Sequence, residues 1–206
     1  MILSYLLHKC KIKFDSTDTR LSAEVLGIHD DSRKIQKGYI FVARSGSQSQ
    51  GNKFIQKAKD NQALWCIAQS DNQADSVTSN PELTLELLLQ NFYNFEFDAN
   101  TAQATPLIAI TGTNGKTSCA WIIQSALESR FDKVGLAGTI CTGITGQRVE
   151  SQLTTPALCD TYKLLKDCSD TNSPLVMEFS SHALHQNRIG SLLANIAVFT
   201  NLSQDH

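Results

Sequence analysis

The segment LIAITGTNGKTSCAWIIQSAL, residues 107–127, decides the fold. It opens with an apolar run of strand length and turns through a stretch bracketed by Gly112 and Gly115. From Lys116 onward its apolar residues recur at helical spacing, which predicts one helix face made of Cys119, Ile122, Ile123, Ala126 and Leu127. A strand ending at Thr111, a glycine turn and a helix beginning near Thr117 bring several backbone N–H groups and the positive end of a helix dipole to one point. An anion belongs there. Gly112 and Gly115 admit positive φ and a close approach of backbone to phosphate, Lys116 can reach β and γ oxygens, and the Thr117 hydroxyl can ligate Mg²⁺. The strict pattern G-x-x-x-x-G-K-[ST] fails at one position, because Ile110 stands where the first glycine should be. A plain strand-to-helix turn would also favour Gly and Asn. The placement between a buried strand and an amphipathic helix favours nucleotide binding.

Downstream, apolar runs alternate with helix-length segments: PLIAIT, the helix 116–130, KVGLAGTI, a helix over 156–168, PLVMEFS and ANIAVFTNL. Strand, helix, strand, helix, strand, strand predicts a mostly parallel sheet. Thr155 before Pro156 reads as an N-cap followed by proline at the first helical position. Upstream, GYIFVA (38–43) and ALWCIA (63–68) read as buried strands. Phe54, Ile55 and Ala58 between them fall at helical spacing, and MILSYLLHKC places Leu3, Leu6, Leu7 and Cys10 on one face of a short helix. The segment DANTAQATP (98–106) is small, polar and aperiodic, a linker. The expected fold is therefore α/β: a small N-terminal α/β domain over 1–98, then a mostly parallel-sheet domain of the phosphate-loop type over 99–206.

Composition narrows the function. The 206 residues carry eighteen Lys and Arg against twenty Asp and Glu, a formal net charge of −2, so no overall field draws the chain to nucleic acid or an anionic membrane. Six cysteines show neither C-x-x-C nor zinc-finger spacing, which fits reduced thiols in the cytoplasm. No apolar run approaches the ~20 residues of a membrane span, and the N-terminal apolar run lacks the flanks of a signal peptide.

In open α/β sheets, ligands sit beyond the carboxyl ends of the strands, so residues following the apolar runs are inspected next. Glu178, Ser180, Ser181 and His182 follow PLVM, and Asp205 and His206 follow AVFTNL. Glu178 lies in an apolar stretch and needs a cation or strong donors nearby. A core salt bridge to Arg188 and a metal role fit it equally on these residues alone. His206, taken alone, reads as a solvated residue. SSH lacks the G-x-S-x-G elbow, and serine hydrolysis leaves the phosphate loop unexplained.

Taken in order, GTNGKTS, TTP, MEFSSHALHQNR and FTNLSQDH resemble the ATP-dependent Mur ligases of peptidoglycan synthesis. DDSRKIQKGYIFVARSG and GNKFIQKAKDNQALW are similar to the uridine-nucleotide-binding domain of the MurE type. The resemblance runs from about residue 20 to the end. It implies an ATP loop of Gly112, Thr113, Asn114, Gly115, Lys116, Thr117 and Ser118, with Thr117 on a first Mg²⁺ and Glu178 and His206 on a second. It further implies that Thr154, Thr155, Ser180, Gln186 and Arg188 hold the muramoyl-dipeptide, and that Asp30, Ser32, Ser47, Gln48 and Ser49 contact the uridine-diphosphate end. Lys116 and Arg188 are the expected catalytic cations. Leu153 and Gln50 depart from the family pattern, which often has asparagine before TTP and an acidic residue before Gly51.

The implied enzyme is an ATP-dependent acid–amino-acid ligase of cell-wall biogenesis. It extends UDP-N-acetylmuramoyl-L-alanyl-D-glutamate through an acyl phosphate, with meso-diaminopimelate favoured over L-lysine as the amino acid. A cytoplasmic monomer is expected. In the family, the central domain continues past the DH step to a carbamylated lysine and a third, amino-acid-binding domain, so the 206 residues alone are expected not to ligate. The alternative from another class is a non-catalytic module that binds a UDP-sugar or other nucleotide.

Overall fold

The computed structural model describes residues 1–44, 51–70, 73–95 and 105–203. Ser47, Gln48, Ser49 and His206, together with most of 98–106, lie outside them. The chain divides into two units, Met1–Phe95 and Glu96–His206.

The first unit is a four-stranded, all-parallel sheet in the order β1 (Gly27–His29), β2 (Tyr39–Val42), β3 (Trp65–Ala68), β4 (Ser76–Val77). Strands β2 and β3 carry continuous apolar runs, as strands covered on both faces must, and Ile40, Phe41, Val42, Trp65, Cys66 and Ile67 are buried. Helix α1 (Leu3–Lys9) buries Leu3, Leu6 and Leu7, the face its spacing predicts. In α2 (Ile55–Asp60), Ile55 and Ala58 are buried, whereas Phe54 precedes the helix and is exposed. The sequence reading places no element at 81–93, where the structure has α3 (Pro81–Tyr93). Its start follows ordinary chemistry: the Asn80 side chain accepts from the Leu83 N–H and Pro81 occupies the first turn.

The second unit is a six-stranded sheet in the order β10-β5-β9-β6-β7-β8. Its strands are β5 (Leu107–Thr111), β6 (Gly135–Ala137), β7 (Cys141–Ile144), β8 (Val149–Glu150), β9 (Leu175–Glu178) and β10 (Ile196–Phe199), and its helices are α4 (Lys116–Glu128), α5 (Leu158–Asp170) and α6 (Ser181–His185). The strands from β10 to β6 are mutually parallel, and β7 and β8 add on antiparallel. The mostly parallel α/β architecture is thus the observed one. In register, Ile110 lies opposite Glu178, Thr111 opposite Phe199 and Ala137 opposite Met177. The carboxyl ends of four strands therefore finish level.

Three local expectations are corrected. KVGLAGTI is not one strand: β6 ends at Ala137, the chain turns through Gly138–Ile140, and β7 runs back. On α4, Ala120 and Gln124 are buried while Ile122 is 68% exposed and Ala126 is exposed. Ile108, Ile110, Val134, Leu136 and Val176 pack with Ala120 and the partly buried Cys119, Ile123 and Leu127, so the helix presses a narrower stripe to the sheet than its apolar residues suggest. Helix α5 begins at Leu158 with Ala157 as its N-cap residue, and no side chain caps it. Thr155 is fully buried and donates its hydroxyl to the Glu178 carbonyl at 2.8 Å while accepting from the Ser180 N–H at 3.0 Å. A tertiary bond to the neighbouring strand end outcompetes the local cap.

All six cysteines are free thiols. Burial pushes Cys66 and Cys168 up to about 12 and Cys10 to about 11, which makes them packing groups rather than nucleophiles. No helix among the described residues is long and apolar enough to cross a membrane.

Candidate nucleotide and metal site

Between β5 and α4 the chain makes the turn its glycines allow. Gly112 has φ 131° and Gly115 φ 83°, values that side-chain-bearing residues rarely adopt. The two glycines differ in what their missing side chains leave room for. A Cβ on Gly112 would collide with the Thr200 hydroxyl and the Asn201 backbone, whereas nothing lies within 4 Å of one on Gly115. The first intrahelical bond of α4 runs from the Cys119 N–H to the Gly115 carbonyl at 2.9 Å. The amides of Lys116, Thr117 and Ser118 thus have no intrahelical acceptor and gather at the positive end of a 13-residue helix. Lys116 Nζ donates to the Gly112 and Thr113 carbonyls at 2.7 and 3.0 Å, which holds its charge over the same turn.

Glu178 ends β9 beside this turn and is 1% exposed. Its Oε1 accepts from the Thr139 N–H at 3.0 Å, and its Oε2 accepts from the Thr117 hydroxyl at 3.0 Å and the Thr139 hydroxyl at 3.1 Å. Thr139 Oγ1 also lies 3.2 Å from Thr154 Oγ1. Strong donors therefore offset the burial of the carboxylate. The salt bridge to Arg188 is not formed: Arg188 donates to the Thr155 carbonyl at 3.4 Å and to the Gln186 side chain. Ser180 caps α6, accepting from the Ala183 N–H at 3.2 Å. Thr154, Thr155, Ser180, Gln186 and Arg188 thereby join one polar network at the carboxyl end of β9, next to the turn. A carboxylate and threonine hydroxyls converging on one point form an all-oxygen donor set, the kind a hard divalent cation such as Mg²⁺ takes.

Sequence reasoning missed Thr139, Thr200 and Asn201. Each follows an apolar run, so the strand-end rule that selected Glu178 would have selected them too.

In the first unit, Ser32 is buried, and its carbonyl accepts from the Asn61 side chain at 2.8 Å. Asp30 follows β1 and is engaged by Arg44, whose Nε donates to Oδ2 at 2.9 Å and whose Nη2 pairs with the same oxygen. Burial alone would push this carboxyl up, but hydrogen bonds from His29 and Arg44 and the guanidinium charge hold it well below the usual carboxylate range. A depressed acid contributes stability that is complete above its unfolded value, near pH 4, and is lost as pH falls through the folded value. Thermal unfolding followed from pH 7 to pH 3 should show that contribution disappearing only on the acid side of pH 4. With Arg44→Met, the hydrogen bonds and charge of the guanidinium are lost while those of His29 remain, so the carboxyl rises back towards its ordinary value and the acid-side loss of stability attributable to Asp30 should shrink.

Residues 110–206 match the family model described as the Mur ligase middle domain. The chain belongs to the Mur ligase family. Among its Mur ligase relatives, the UDP-N-acetylmuramoyl-L-alanyl-D-glutamate--2,6-diaminopimelate ligase of Clostridium botulinum is 36% identical over 192 residues, covering 89% of this chain and 39% of the relative. A solved structure of a ligase of the same name superposes over the whole chain and 42% of its own length, with a TM-score of 0.74 at 28% identity. The MurF ligase of Thermotoga maritima in complex with ADP, at 19% identity and a TM-score of 0.53, shares the fold. The chain spans about two fifths of the length of these Mur ligase relatives.

Proposed function

We propose that the chain carries the uridine-substrate and ATP portions of a ligase that adds meso-diaminopimelate to UDP-N-acetylmuramoyl-L-alanyl-D-glutamate. Residues 1–98 would take the uridine-diphosphate end, through Asp30, Ser32 and the segment of Ser47, Gln48 and Ser49, and residues 99–206 would take ATP. The reading is supported above all by the 3.0 Å contact between Glu178 and Thr117, which joins a strand-end carboxylate to the first turn of the phosphate-loop helix. Thr117 would hold one Mg²⁺, and Glu178 and His206 a second.

Amide synthesis needs a leaving group on a carboxylate, and ATP provides it by forming an acyl phosphate. Bringing that carboxylate to a γ-phosphate sets like charges against each other, at ~4 kcal/mol for a unit-charge pair about 4 Å apart at an effective dielectric of roughly 20. Lys116 offsets this from the loop side and Arg188 from the substrate side. The bound Mg²⁺ would supply the remaining neutralisation and fix the phosphate geometry. Thr154, Thr155, Ser180 and Gln186 orient the acceptor carboxylate. The amine of the incoming amino acid then attacks the acyl carbon, and phosphate leaves. The enzyme would act in the cytoplasm as a monomer.

Calorimetry on the 206-residue chain tests this against a general nucleotide-binding module. The expected result is one site for ATP with Mg²⁺ and one for UDP-N-acetylmuramoyl-L-alanyl-D-glutamate, the latter bound at least tenfold more tightly than UDP. Equal affinity for UDP and the muramoyl-dipeptide would favour the module.

A further inference from the structure

The segment leaving β10 is tied to the phosphate loop more closely than packing requires. Asn201 Oδ1 accepts from the Asn114 N–H at 3.0 Å, and Nδ2 of the same side chain donates to the Asn114 carbonyl at 3.1 Å. The Asn201 carbonyl accepts from the Thr113 N–H at 3.1 Å. Thr200 Oγ1 lies 2.6 Å from the Asn114 carbonyl and 3.2 Å from that of Thr111, and its single proton serves one of them at a time. Thr113 Oγ1 and the Ser203 backbone exchange two further bonds, at 3.1 and 3.0 Å. Gly112 has no side chain because this segment occupies the space one would need.

The consequence follows from peptide geometry. A trans peptide points its C=O and N–H in opposite directions. With the Asn114 N–H fixed on Asn201, the carbonyl of the same peptide, that of Thr113, must point away from β10, and there it accepts from Lys116 Nζ. With the Asn114 carbonyl also fixed on Asn201 and Thr200, the Gly115 N–H is likewise turned away from β10. One amide side chain thus sets two successive peptides in a turn whose flanking glycines would otherwise leave them free to flip.

We infer that Asn201 is a positioning residue for nucleotide binding: its side chain clamps Asn114 from both sides, orienting the Thr113 carbonyl that seats Lys116 and the Gly115 N–H that faces the outer phosphates. The inference rests on the ATP reading above, extending it to a residue that touches the loop rather than the nucleotide.

Two measurements on the 206-residue chain test it. In the wild-type chain without nucleotide, the Asn114 amide should exchange with solvent at least tenfold more slowly than in Asn201→Ala, while the amides of β5 and β9 keep their protection. ATP affinity should fall at least tenfold in Asn201→Ala, with AMP affinity changed less than twofold, because the clamp orders the groups that meet the outer phosphates. A general loss of structure would weaken ATP and AMP alike. Unchanged ATP affinity in the variant, or fast exchange at Asn114 in the wild type, overturns the inference. If the wild-type chain binds no ATP at all, the ATP reading fails, and exchange at Asn114 still decides the clamp. Should Asn201→Ala fail to fold, Thr200→Val, which removes a donor to the same carbonyl, is expected to show the same split between ATP and AMP.

Discussion

Lys116→Ala is expected to weaken ATP binding by roughly 10- to 100-fold while leaving AMP binding within about twofold of wild type. A hydrogen bond to a charged group contributes about 1.5–3 kcal/mol, and each ~1.4 kcal/mol is a factor of ten in affinity. The selectivity comes from position. Lys116 Nζ lies over the Gly112 and Thr113 carbonyls at the mouth of the turn, so in the proposed ATP site its charge would meet β and γ oxygens and not the adenosine end. Fold stability should change little, because the carbonyls it leaves sit at the surface end of the sheet and water can replace it. Lys116→Arg should not restore affinity, since a planar guanidinium cannot reproduce a compact ammonium in that seat. Calorimetry with ATP and AMP in parallel reads both arms. Equal losses for the two nucleotides would contradict the assignment, as would ATP turnover surviving the substitution in a ligating form of the protein.

Glu178→Gln should leave the fold in place and remove the Mg²⁺ dependence of ATP affinity. The amide has nearly the same shape, its oxygen can keep the Thr139 N–H, and the Thr117 and Thr139 hydroxyls can rotate to accept from its nitrogen. What it cannot supply is an anionic oxygen. Wild-type affinity is expected to fall at least tenfold when EDTA replaces Mg²⁺, and that ratio should drop below about twofold in the variant. Glu178→Ala is the structural counterpart. It leaves the Thr139 N–H and two hydroxyls without their acceptor; Glu178 itself is almost fully buried, but Thr139 is exposed and Thr117 half-buried, so water can reach the hydroxyls and the Thr139 N–H is the group most nearly orphaned. Orphaned buried groups cost about 1–3 kcal/mol each, and a chain of this size loses about 2–4 °C per kcal/mol. For the one N–H, a fall in Tm of roughly 2–12 °C is therefore expected by calorimetric scanning. Full Mg²⁺ dependence in Glu178→Gln would remove the metal role and leave Glu178 as a structural acceptor alone.

The two substitutions act on the parts of the site that were most legible from sequence, for a physical reason. Lys116 is specified by its neighbours: an apolar run, two glycines and an amphipathic helix within 21 residues are enough to fix strand, turn and helix start. Glu178 could be flagged because an acid in an apolar run must be compensated. Which group compensates it was not legible, since Thr139 lies 39 residues away in the chain and is brought in only when β6 pairs with β9. Asn201, 87 residues from Asn114, is a stronger case of the same kind. Thr155 shows local grammar overruled: Thr-Pro ahead of a helix is a sound cap signal, but a buried hydroxyl facing the Glu178 carbonyl has a better partner across the strand end. On α4, apolar character alone did not tell Ile122 from Ala120. The close approach of helix to sheet selects the smaller residue.

Parallel pairing of β5 with β9 makes chain length, rather than residue identity, the stricter constraint at this site. Neighbouring residues along a strand point to opposite faces, and here Met177 and Glu178 are neighbours. Inserting one residue after Leu175 would send the Met177 thioether to the place of the carboxylate, deleting one before Glu178 would send the Phe179 ring there, and either change would carry the acid to the wrong side of the sheet. Substitutions within β9 could be absorbed by repacking, but a one-residue frame change could not, so this strand acts as a fixed ruler between the core and the chemistry.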